Sequence, residues 1–402
     1  MPVYPLSNVR VVDLGWSWAG PVVGQLLADL GAEVIKVETR ERLDLLRRSV
    51  DNVTGDPEAD PFFHAVNRNK LGITLNIADP RGAALVKRLV SISDAVIENF
   101  SPRVLKKHNL DYRALRDVKP DIVMISLPST GSYGSLSDVV TYGPSLASLS
   151  GLDSMVGYYG ENVIGTQQAY ADPTSGSHGA FAVLAALWYR MQTGRGQHIE
   201  LAQLELLVSC IGEAVMDYTI NGRLMETQGN RDAVMAPHGN YPCKGEDKWV
   251  SIAVETEDEW HNLCQAMGNP DWTRHEMFSD GHSRLRNCEQ LDRHVSDWTS
   301  NLTHYEVTDI LQQAGVAAAP CLDVEDRYFD PHLQERKTSI DFPHPASGND
   351  VIPGITFKMS QTPCEVRLPA PIMGQHNDYV FHELLSISHE DIDRLISEKV
   401  IN

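Results

Sequence analysis

Between Val9 and Ser126 the sequence alternates between short runs of β-branched residues and longer stretches with apolar residues at helical spacing. The runs predicted as strands are Val9–Leu14, Ala32–Glu38, Gly72–Leu75, Ala95–Glu98 and Ile122–Ser126. The predicted helices between them are Gly20–Leu30, Pro80–Ser91 and Leu105–Leu115. Strands that alternate with helices pair in parallel, because each crossover helix covers a face of the sheet. The sequence therefore predicts an α/β fold with a Rossmann-type parallel sheet.

The second half of the chain departs from this alternating pattern. A long helix is predicted over Ser175–Gln192, followed by a strand at His198–Leu201 and a helix that continues to about Met216. From about Gly222 the chain changes to short β-like pieces, such as Lys248–Val254, and to helical pieces rich in Trp, Asp and His. This change predicts a second, smaller domain of α+β type.

Several common classes of protein are excluded by charge and by missing motifs. The turn after the first strand, Gly15–Gly20 (GWSWAG), lacks the GxGxxG spacing that lets a backbone approach a dinucleotide pyrophosphate. The sequence contains no P-loop, GxSxG or HExxH motif, which argues against NTPase, α/β-hydrolase and zincin chemistry. The formal net charge of -20 repels nucleic acid and anionic membranes, so neither is an expected partner.

The remaining bulk features predict a cytoplasmic protein without a metal centre. The longest apolar runs are shorter than the roughly 20 residues that span a bilayer, and Met1–Asn8 has no signal-peptide pattern. The 6 cysteines include no CxxC pair and no Cys/His cluster at ligand spacing. They are therefore expected to be reduced thiols rather than metal ligands.

Six segments of the chain share motifs with a known enzyme family. The segments are VVDLGWSWAGPVVGQLLADLGAEVIKVE (Val11–Glu38), NRNKLGITLNI (Asn67–Ile77), AVIENFSPRVL (Ala95–Leu105), YADPTSG (Tyr170–Gly176), TGRGQHIELAQLE (Thr193–Glu205) and PAPIMGQHND (Pro369–Asp378). Each motif alone is weak, but all of them in the family's order are improbable by chance. In these segments the chain resembles the class III CoA-transferases, a family that includes formyl-CoA, carnitine and bile-acid CoA-transferases.

The resemblance implies an architecture that the periodicity alone does not. It implies a large Rossmann-type domain formed by both chain ends, residues 1–222 and 326–402, with the smaller domain, residues 223–325, inserted between them. It also implies that two chains thread through each other as an interlocked dimer. The second chain is expected to be another copy of this one or a homologous subunit.

Asp172, in the YADPTSG motif, matches the aspartate nucleophile of this family. On the sequence alone, an Asp-Pro pair is also typical of a helix start, with Asp172 as the N-cap. The two roles are compatible, because a helix N-terminus stabilises an ionised carboxylate. The family's mechanism implies that Asp172 attacks an acyl-CoA thioester, forming an aspartyl-acyl anhydride and then an aspartyl-CoA thioester. It implies no cofactor beyond coenzyme A, which is a co-substrate.

Several residues after the early strands match CoA-contacting positions of the family. Ligands of open α/β sheets lie at the carboxyl ends of the strands, where basic side chains can bind phosphates. The residues expected to contact CoA are Arg40, Arg47 (paired with Asp44), Lys70, Leu75, Asn76, Asn99, Phe100, Ser101 and Lys107.

The acyl group is expected to contact three further segments. Trp16 and Trp18 are either core residues or an aromatic wall that favours an apolar or aromatic acid over oxalate or formate. Tyr142 matches a tyrosine near the thioester in the family. His238 and Gly239 lie in a segment that replaces the glycine-rich lid of the formyl-CoA transferase. Succinyl-CoA as donor and a free carboxylic acid such as benzylsuccinate, an aryl-substituted succinate, as acceptor fit this pattern.

Two other functions stay open at this point. The α-methylacyl-CoA racemases share the fold and the aspartate, but their histidine base corresponds to Tyr142 here, and tyrosine is a poor base at neutral pH. The second alternative is a subunit of a heteromeric CoA-transferase, in which a homologous partner carries part of the active sites.

Overall fold

The fold is described from a computed structural model, which covers residues 4–49 and 52–402. The strands in these residues are β1 (Arg10–Asp13), β2 (Glu33–Glu38), β3 (Lys70–Thr74), β4 (Ala95–Glu98), β5 (Val123–Ser126), β6 (His198–Glu200), β7 (His238–Pro242), β8 (Trp249–Ala253), β9 (Ala317–Cys321), β10 (Ser339–His344) and β11 (Gly348–Pro353). The α-helices are α1 (Ala19–Asp29), α2 (Pro61–Asn67), α3 (Pro80–Ser91), α4 (Val104–Lys107), α5 (Tyr112–Val118), α6 (Gly143–Ser150), α7 (Ala171–Thr193), α8 (Gln203–Ser209), α9 (Gly212–Asn221), α10 (Glu257–Ala266), α11 (Gly281–Arg286), α12 (Cys288–Thr299), α13 (His304–Gln313), α14 (Val324–Phe329), α15 (Pro331–Glu335) and α16 (His389–Ser397). Shorter turns of 3₁₀ helix occupy Leu45–Arg48, Pro57–Ala59, Leu152–Met155, Asp271–Arg274 and Glu276–Phe278, and a π-helical turn occupies Tyr379–Leu384.

Internal contacts divide the described chain into two compact units. The first unit draws on Met1–Asp153, Thr166–Gly222 and Glu335–Asn402, and the second on Ser154–Gly165 and Arg223–Gln334. The predicted boundary at 222/223 agrees with these bounds. The predicted boundary at 325/326 does not, and the segment Ser154–Gly165 lies in the other unit from the predicted one.

The segment Ser154–Gly165, predicted to lie in the first domain, belongs to the second unit. The hydroxyl of Thr227 donates a hydrogen bond of 3.0 Å to the carbonyl of Glu161, and the Arg231 guanidinium lies 3.5 Å from the ring centre of Tyr159. At the other boundary, Lys248 of the second unit forms an ion pair of 2.5 Å with Asp326 in α14. The chain therefore returns to the first unit nine residues later than predicted, at residue 335 instead of 326.

The first unit contains the parallel sheet that the sequence predicts. Its six strands lie in the order β3-β2-β1-β4-β5-β6, and every neighbouring pair is parallel. Consecutive residues of β1 point to opposite faces: Val11 packs with α1 and α7 on one side, and Val12 packs with α3 and the chain's last residues on the other. The strand order reverses between β1 and β4, which is where open α/β sheets bind their ligands.

The predicted helix over Leu105–Leu115 is two helices in the structure, α4 and α5. Asn109 between them has a φ of +56°, a left-handed conformation that cannot continue an α-helix. Asp111 then precedes the first residue of α5. Both helices bury a leucine, Leu105 and Leu115, in the same core. The apolar residues of this stretch therefore have the spacing of one continuous helix.

The second unit is built on an antiparallel sheet of β7, β8 and β9, covered by α10 to α13. Two of its helices begin with capping boxes, formed by Thr256 with Glu259 and by Thr303 with Glu306. Across residues 4–49 and 52–402, no helix combines the length and apolar character needed to cross a membrane.

Candidate active site

A cleft of about 950 Å³ opens in the first unit at the carboxyl ends of the parallel strands. Its walls are the turns that follow β1, β2, β3 and β4, together with the segment Ser137–Pro144 and the first turn of α7. The cleft therefore lies at the reversal of strand order described above. The ends of these strands hold polar side chains around a space large enough for an extended ligand.

Close packing between α1 and α7 places Asp172 in this cleft. A Cβ at Gly176 would lie 2.5 Å from Val22, and a Cβ at Gly179 would lie 2.8 Å from Val23, so only glycine allows α7 to approach α1 this closely. The first turn of α7 is thereby brought to the first turn of α1, where Ala19 donates its backbone N–H to the Asp172 carboxylate.

Asp172 is the second residue of α7 rather than its N-cap, which is Tyr170, so the N-cap prediction is wrong. A Cβ at Gly143 would lie 2.6 Å from Asp172 Oδ2, and this glycine therefore leaves room for the carboxylate. Burial raises the pKa of Asp172 to about 6, against two backbone N–H groups that lower it. The backbone N–H groups at the helix terminus stabilise the ionised carboxylate as expected, but the loss of water has the larger effect on its pKa.

The turn between β1 and α1 is held by side chains from neighbouring strands. The Asn99 amide clamps the backbone of Trp16, accepting its N–H and donating to its carbonyl, each at 2.7 Å. Ser17 has a φ of +60° and donates its N–H to Asp44 at 3.0 Å. These hydrogen bonds hold the shape of the turn.

Both tryptophans of this turn line the cleft and are half-buried. The Arg42 guanidinium lies 4.1 Å from the ring centre of Trp16. Trp18 makes an edge contact with Phe62, with ring centres 6.4 Å apart. From the sequence alone, these indoles could be core residues or an aromatic wall of the site. Their position in the cleft favours the second interpretation.

Six other residues that the sequence predicts to contact substrate also line the cleft. That they contact CoA or the acyl group remains a prediction. They are Tyr142, Leu75, Asn76, Asn99, Phe100 and Ser101. Tyr142 is exposed at the start of α6, and Leu75 is buried behind the opening.

Two basic residues predicted to bind CoA phosphates are instead buried structural cations. Lys70 is fully buried, and its Nζ donates to Asp13, to the carbonyl of Pro21 and to Asn67 at 2.8 to 2.9 Å. Burial lowers the pKa of Lys70 to about 8. Its three hydrogen bonds use every donor of the ammonium group, so none is left for a phosphate.

Arg47 is the second of these buried cations. It pairs with Glu38 at 2.7 Å and Glu58 at 2.8 Å, and not with Asp44 as predicted. Asp44 pairs instead with Lys36 at 3.4 Å. Buried charges are stable only when paired, and the pairing of Arg47 withdraws it from the cleft.

Arg40 and Lys107 are exposed, and neither is among the residues that line the cleft. Arg40 donates to the carbonyl of Met373 at 3.1 Å, and Lys107 lies in the last turn of α4. Among the described residues, the exposed cations that do line the cleft are Arg42, Arg48 and Arg103. Each lies within four residues of a predicted one, so the sequence indicated the correct segments but not the direction of each side chain.

Two other polar groups near the cleft were not singled out by the sequence analysis. The Thr141 hydroxyl lines the cleft and, within the described chain, is buried without a hydrogen-bond partner. Glu98 lies at the end of β4, directly before Asn99, and accepts the N–H of Phe100 at 2.8 Å. Burial raises the pKa of Glu98 to about 7. No motif signals either group, because both depend on burial.

His238 and Gly239 lie in the second unit, where they begin strand β7. Part of the segment predicted as a covering loop is therefore a regular strand. His238 Nδ1 lies 2.6 Å from the carbonyl of Asn230. A contact of these two residues with substrate remains a prediction.

Comparisons with known proteins show which proteins this chain is similar to. Residues 6–377 match the model of CoA-transferase family III. The beta subunit of a succinyl-CoA–L-malate CoA-transferase from Chloroflexus aurantiacus is 32% identical over 401 residues, which cover 99% of this chain and 98% of the subunit. A succinate–glutarate CoA-transferase from Agrobacterium fabrum is 32% identical over 389 residues, covering 95% of this chain and 96% of that enzyme.

A solved structure shows the same fold. The crystal structure of a CAIB/BAIF family protein from Brucella suis aligns with a TM-score of 0.86 at 28% identity, covering 95% of this chain and 99% of its own. The match to the family model extends over more than nine tenths of the sequence. The chain therefore belongs to CoA-transferase family III and is a CoA-transferase, with CoA thioesters as its co-substrates.

Proposed function

We propose that this chain transfers CoA from succinyl-CoA to a second dicarboxylic acid through covalent intermediates on Asp172. The observation that carries the proposal is the environment of this carboxylate. It is withdrawn from water at the cleft wall, and among the described residues it has no cationic partner. A desolvated, unpaired carboxylate is a better nucleophile than a hydrated or paired one, and with a pKa of about 6 it is mostly ionised at pH 7.

The reaction proceeds as two matched exchanges. The Asp172 carboxylate attacks the thioester carbonyl of succinyl-CoA, the C–S bond breaks, and an aspartyl-succinyl anhydride and CoA thiolate form. The thiolate attacks the aspartyl carbonyl, which releases succinate and leaves CoA as a thioester on Asp172. The acceptor carboxylate then repeats both steps in reverse, which forms the new acyl-CoA and restores the Asp172 carboxylate. No proton is consumed, and no group is oxidised or reduced.

The substrate proposal combines the names of the relatives with the lining of the cleft. Both relatives described above are named for succinyl-CoA or succinate and for a second dicarboxylic acid, malate or glutarate. The indoles of Trp16 and Trp18 give this cleft an aromatic wall. An acceptor with an apolar or aryl substituent, such as benzylsuccinate, would contact that wall and is the acceptor we propose.

A racemase is disfavoured by the residues present. Tyr142 stands in the cleft where the racemases have a histidine base, and the histidine among the described lining residues is His108, at the end of α4. With a chiral 2-methylacyl-CoA in heavy water and no acceptor acid, we expect no deuterium at the α-carbon. Deuterium uptake at a rate comparable to CoA transfer would contradict the proposal.

We also propose that the active enzyme contains two chains. The outer surface of α7 and α9 exposes large apolar side chains: Phe181, Trp188 and Met191 on α7 and Ile220 on α9 are each 65 to 74% exposed. Large apolar side chains exposed at this level on two helices are typical of an interface. We commit to a second copy of this chain as the partner, and light scattering of the purified chain tests it. A monomer that becomes active only with a homologous subunit would show the heteromeric alternative.

Trapping the covalent intermediate tests the mechanism directly. The enzyme is incubated with succinyl-CoA and hydroxylamine without an acceptor acid, and the peptide that contains Asp172 is analysed by mass spectrometry. We expect a hydroxamate on Asp172 and loss of activity, because both proposed intermediates carry an activated carbonyl at that residue. An inactivated enzyme with an unmodified Asp172 peptide would exclude the covalent route. Glu98, which does not line the cleft, serves as the internal control peptide.

Substrate identity is tested separately with a panel of free acids and succinyl-CoA. Malate, glutarate, benzylsuccinate and oxalate are offered at equal concentration to the wild-type enzyme and to Trp18→Gln. We expect benzylsuccinate to be the best acceptor of the wild type and to lose most in the variant. Faster turnover of oxalate than of every other acid would contradict the inference from the two indoles.

A further inference from the structure

Outside the cleft, the first unit contains a buried cluster of two histidines and an aspartate. His64 lies in α2, His344 ends β10, and Asp350 lies on β11. The two histidines are 3% and 4% exposed, and their ring centres are 3.7 Å apart. One potential ligand atom from each of the three side chains lies within 4.8 Å of the others. None of the three lines the cleft, and the proposed reaction does not use them.

Backbone carbonyls orient both imidazole rings in the same way. His64 Nε2 lies 2.8 Å from the carbonyl of Glu58, and His344 Nε2 lies 3.0 Å from the carbonyl of Ala370. A carbonyl only accepts, so each Nε2 carries the hydrogen, and in the neutral ring each Nδ1 keeps its lone pair. Histidines that bind metals almost always donate their other ring N–H to a carbonyl or carboxylate in this manner.

His64 and Asp350 lie within hydrogen-bonding distance, but the angle between them is not that of a hydrogen bond. His64 Nδ1 lies 2.8 Å from Asp350 Oδ2. Even so, this buried nitrogen makes no hydrogen bond to any described residue. Two ligand atoms at about 2.1 Å from one ion are about 3 Å apart at a right angle and about 3.4 Å apart in a tetrahedral site, and neither points at the other. The geometry of the pair is that of two neighbouring ligands rather than of a donor and an acceptor.

We propose that His64 Nδ1, His344 Nδ1 and a carboxylate oxygen of Asp350 bind one divalent transition-metal ion such as Zn²⁺. Two imidazoles and one carboxylate are a ligand set that suits Zn²⁺ and related ions, and water completes the coordination. The backbone N–H of Ala346, which donates to His344 Nδ1 at a long 3.2 Å, would be exchanged for the ion.

The ion would fasten α2 to the hairpin of β10 and β11. These elements come from distant parts of the sequence, and among the described strands β10 and β11 form a two-stranded sheet with each other. The stabilising effect follows from binding that requires the folded arrangement of all three ligands. The competing explanation is an ordinary ion pair between a protonated His64 and Asp350, which would need no metal.

Metal titration of the tag-free, full-length protein distinguishes these explanations. The protein is stripped with EDTA, dialysed, and titrated with Zn²⁺ by calorimetry, and with Co²⁺ followed by its visible absorption. We expect one saturable site per chain, with a Co²⁺ spectrum that shows nitrogen ligation. His344→Gln and Asp350→Asn should each weaken binding by at least about tenfold. The exposed His332, changed to Gln, is the matched control and should leave the affinity unchanged.

Thermal unfolding gives a second readout that is independent of transferase activity. Zn²⁺ should raise the melting temperature of the wild type and of His332→Gln, but not of His344→Gln or Asp350→Asn. The proposal is overturned if the folded wild type shows no saturable binding of either ion. It is also overturned if both variants bind with unchanged affinity and stoichiometry. The titration of the folded wild type is enough to refute the proposal, even if one of the variants does not fold.

Discussion

Asp13 and Asp172 are two aspartates of the first unit, both withdrawn from water, in contrasting environments. Asp13 is fully buried, pairs with Lys70 at 2.8 Å and accepts the N–H of Gly15 at 2.8 Å. Asp172 is half-buried at the cleft, accepts backbone N–H groups, and has no cationic partner among the described residues. A paired buried charge contributes to the fold, whereas a buried charge held without a partner has a raised pKa and is suited to chemistry.

The basic residues of the same unit divide in the same way. Lys70 and Arg47 are enclosed and paired, whereas Arg42, Arg48 and Arg103 stand exposed along the cleft. Arg103 also has a partner, Asp138 at 2.6 Å, but both side chains of that pair are exposed. We therefore claim that an enclosed, paired charge serves the fold, whereas an exposed charge in the cleft is available to a substrate. Each prediction below tests one side of that claim.

The largest expected effect is on catalysis. Asp172→Asn should lower the rate of CoA transfer by about 10³-fold or more, because an amide cannot form the anhydride. Its free energy of unfolding at pH 7 should be equal to or higher than that of the wild type, since the variant no longer buries an ionised carboxylate. Initial rates and urea denaturation measure the two quantities. Substantial residual activity, with mass spectrometry excluding deamidation, would contradict the assignment.

The opposite result is expected for Asp13→Asn. This variant leaves Lys70 as a buried charge without its partner, which costs about 3–5 kcal/mol of unfolding free energy. Replacing both partners, as in Asp13→Leu with Lys70→Met, should recover part of that loss, because the double variant leaves no unpaired charge. Urea denaturation of the single and double variants measures the recovery. Unchanged stability in Asp13→Asn would break the distinction between the two aspartates.

The pH dependence tests the raised pKa of Asp172. In the proposed mechanism the ionised carboxylate is the nucleophile, and its pKa is about 6, so activity should fall about tenfold per pH unit below that value and level off above it. Glu98, with a pKa of about 7, also titrates nearby. The profile of Glu98→Gln therefore serves as the control and should keep the acidic limb near pH 6. An acidic limb near pH 4 would show that burial does not control Asp172.

The smallest effects are expected for the exposed cations of the cleft. Arg48→Ala and Arg103→Ala should each raise the KM for acyl-CoA by about 3- to 10-fold, which corresponds to the roughly 0.7–1.4 kcal/mol of one solvent-exposed hydrogen bond or ion pair, with little change in stability. Arg40→Ala and Lys107→Ala are the matched controls, since these side chains lie outside the cleft. Steady-state kinetics at two salt concentrations measure the effect. A larger change in the controls would show that the sequence-based assignment was right after all.

Much of the fold could be predicted from the sequence because periodicity carries it. The bounds of α3 and β4 were predicted to the residue, since each buries a regular apolar pattern between clear ends. The break between α4 and α5 could not be predicted, because it depends on the backbone conformation of Asn109. The strand order became known only from the structure, since apolar runs do not say which strand lies beside which.

The site was predictable in its segments and less so in its side chains. Motif resemblance pointed to Asp172, and the structure places it in the cleft. Resemblance also pointed to Arg47 and Lys70, which fold inward because Glu38 on β2 and Asp13 on β1 pair with them. The surroundings of Asp172 could not be predicted, because burial raises its pKa while the N–H of Ala19 lowers it, and the nearby Gly143 and Ala19 are distant from it in sequence.

The way the chain's last residues enter the core of the first unit has a consequence for how the protein is made. Phe381, Val400 and Ile401 are almost fully buried against the same core as β3 and α3, and the carbonyl of Val400 accepts the N–H of Asn76. During synthesis the strands of the parallel sheet and helix α7 leave the ribosome long before these residues emerge. A nascent chain therefore has an uncovered apolar face until residues 381–401 have been synthesised, and the core of the first unit is completed late rather than early.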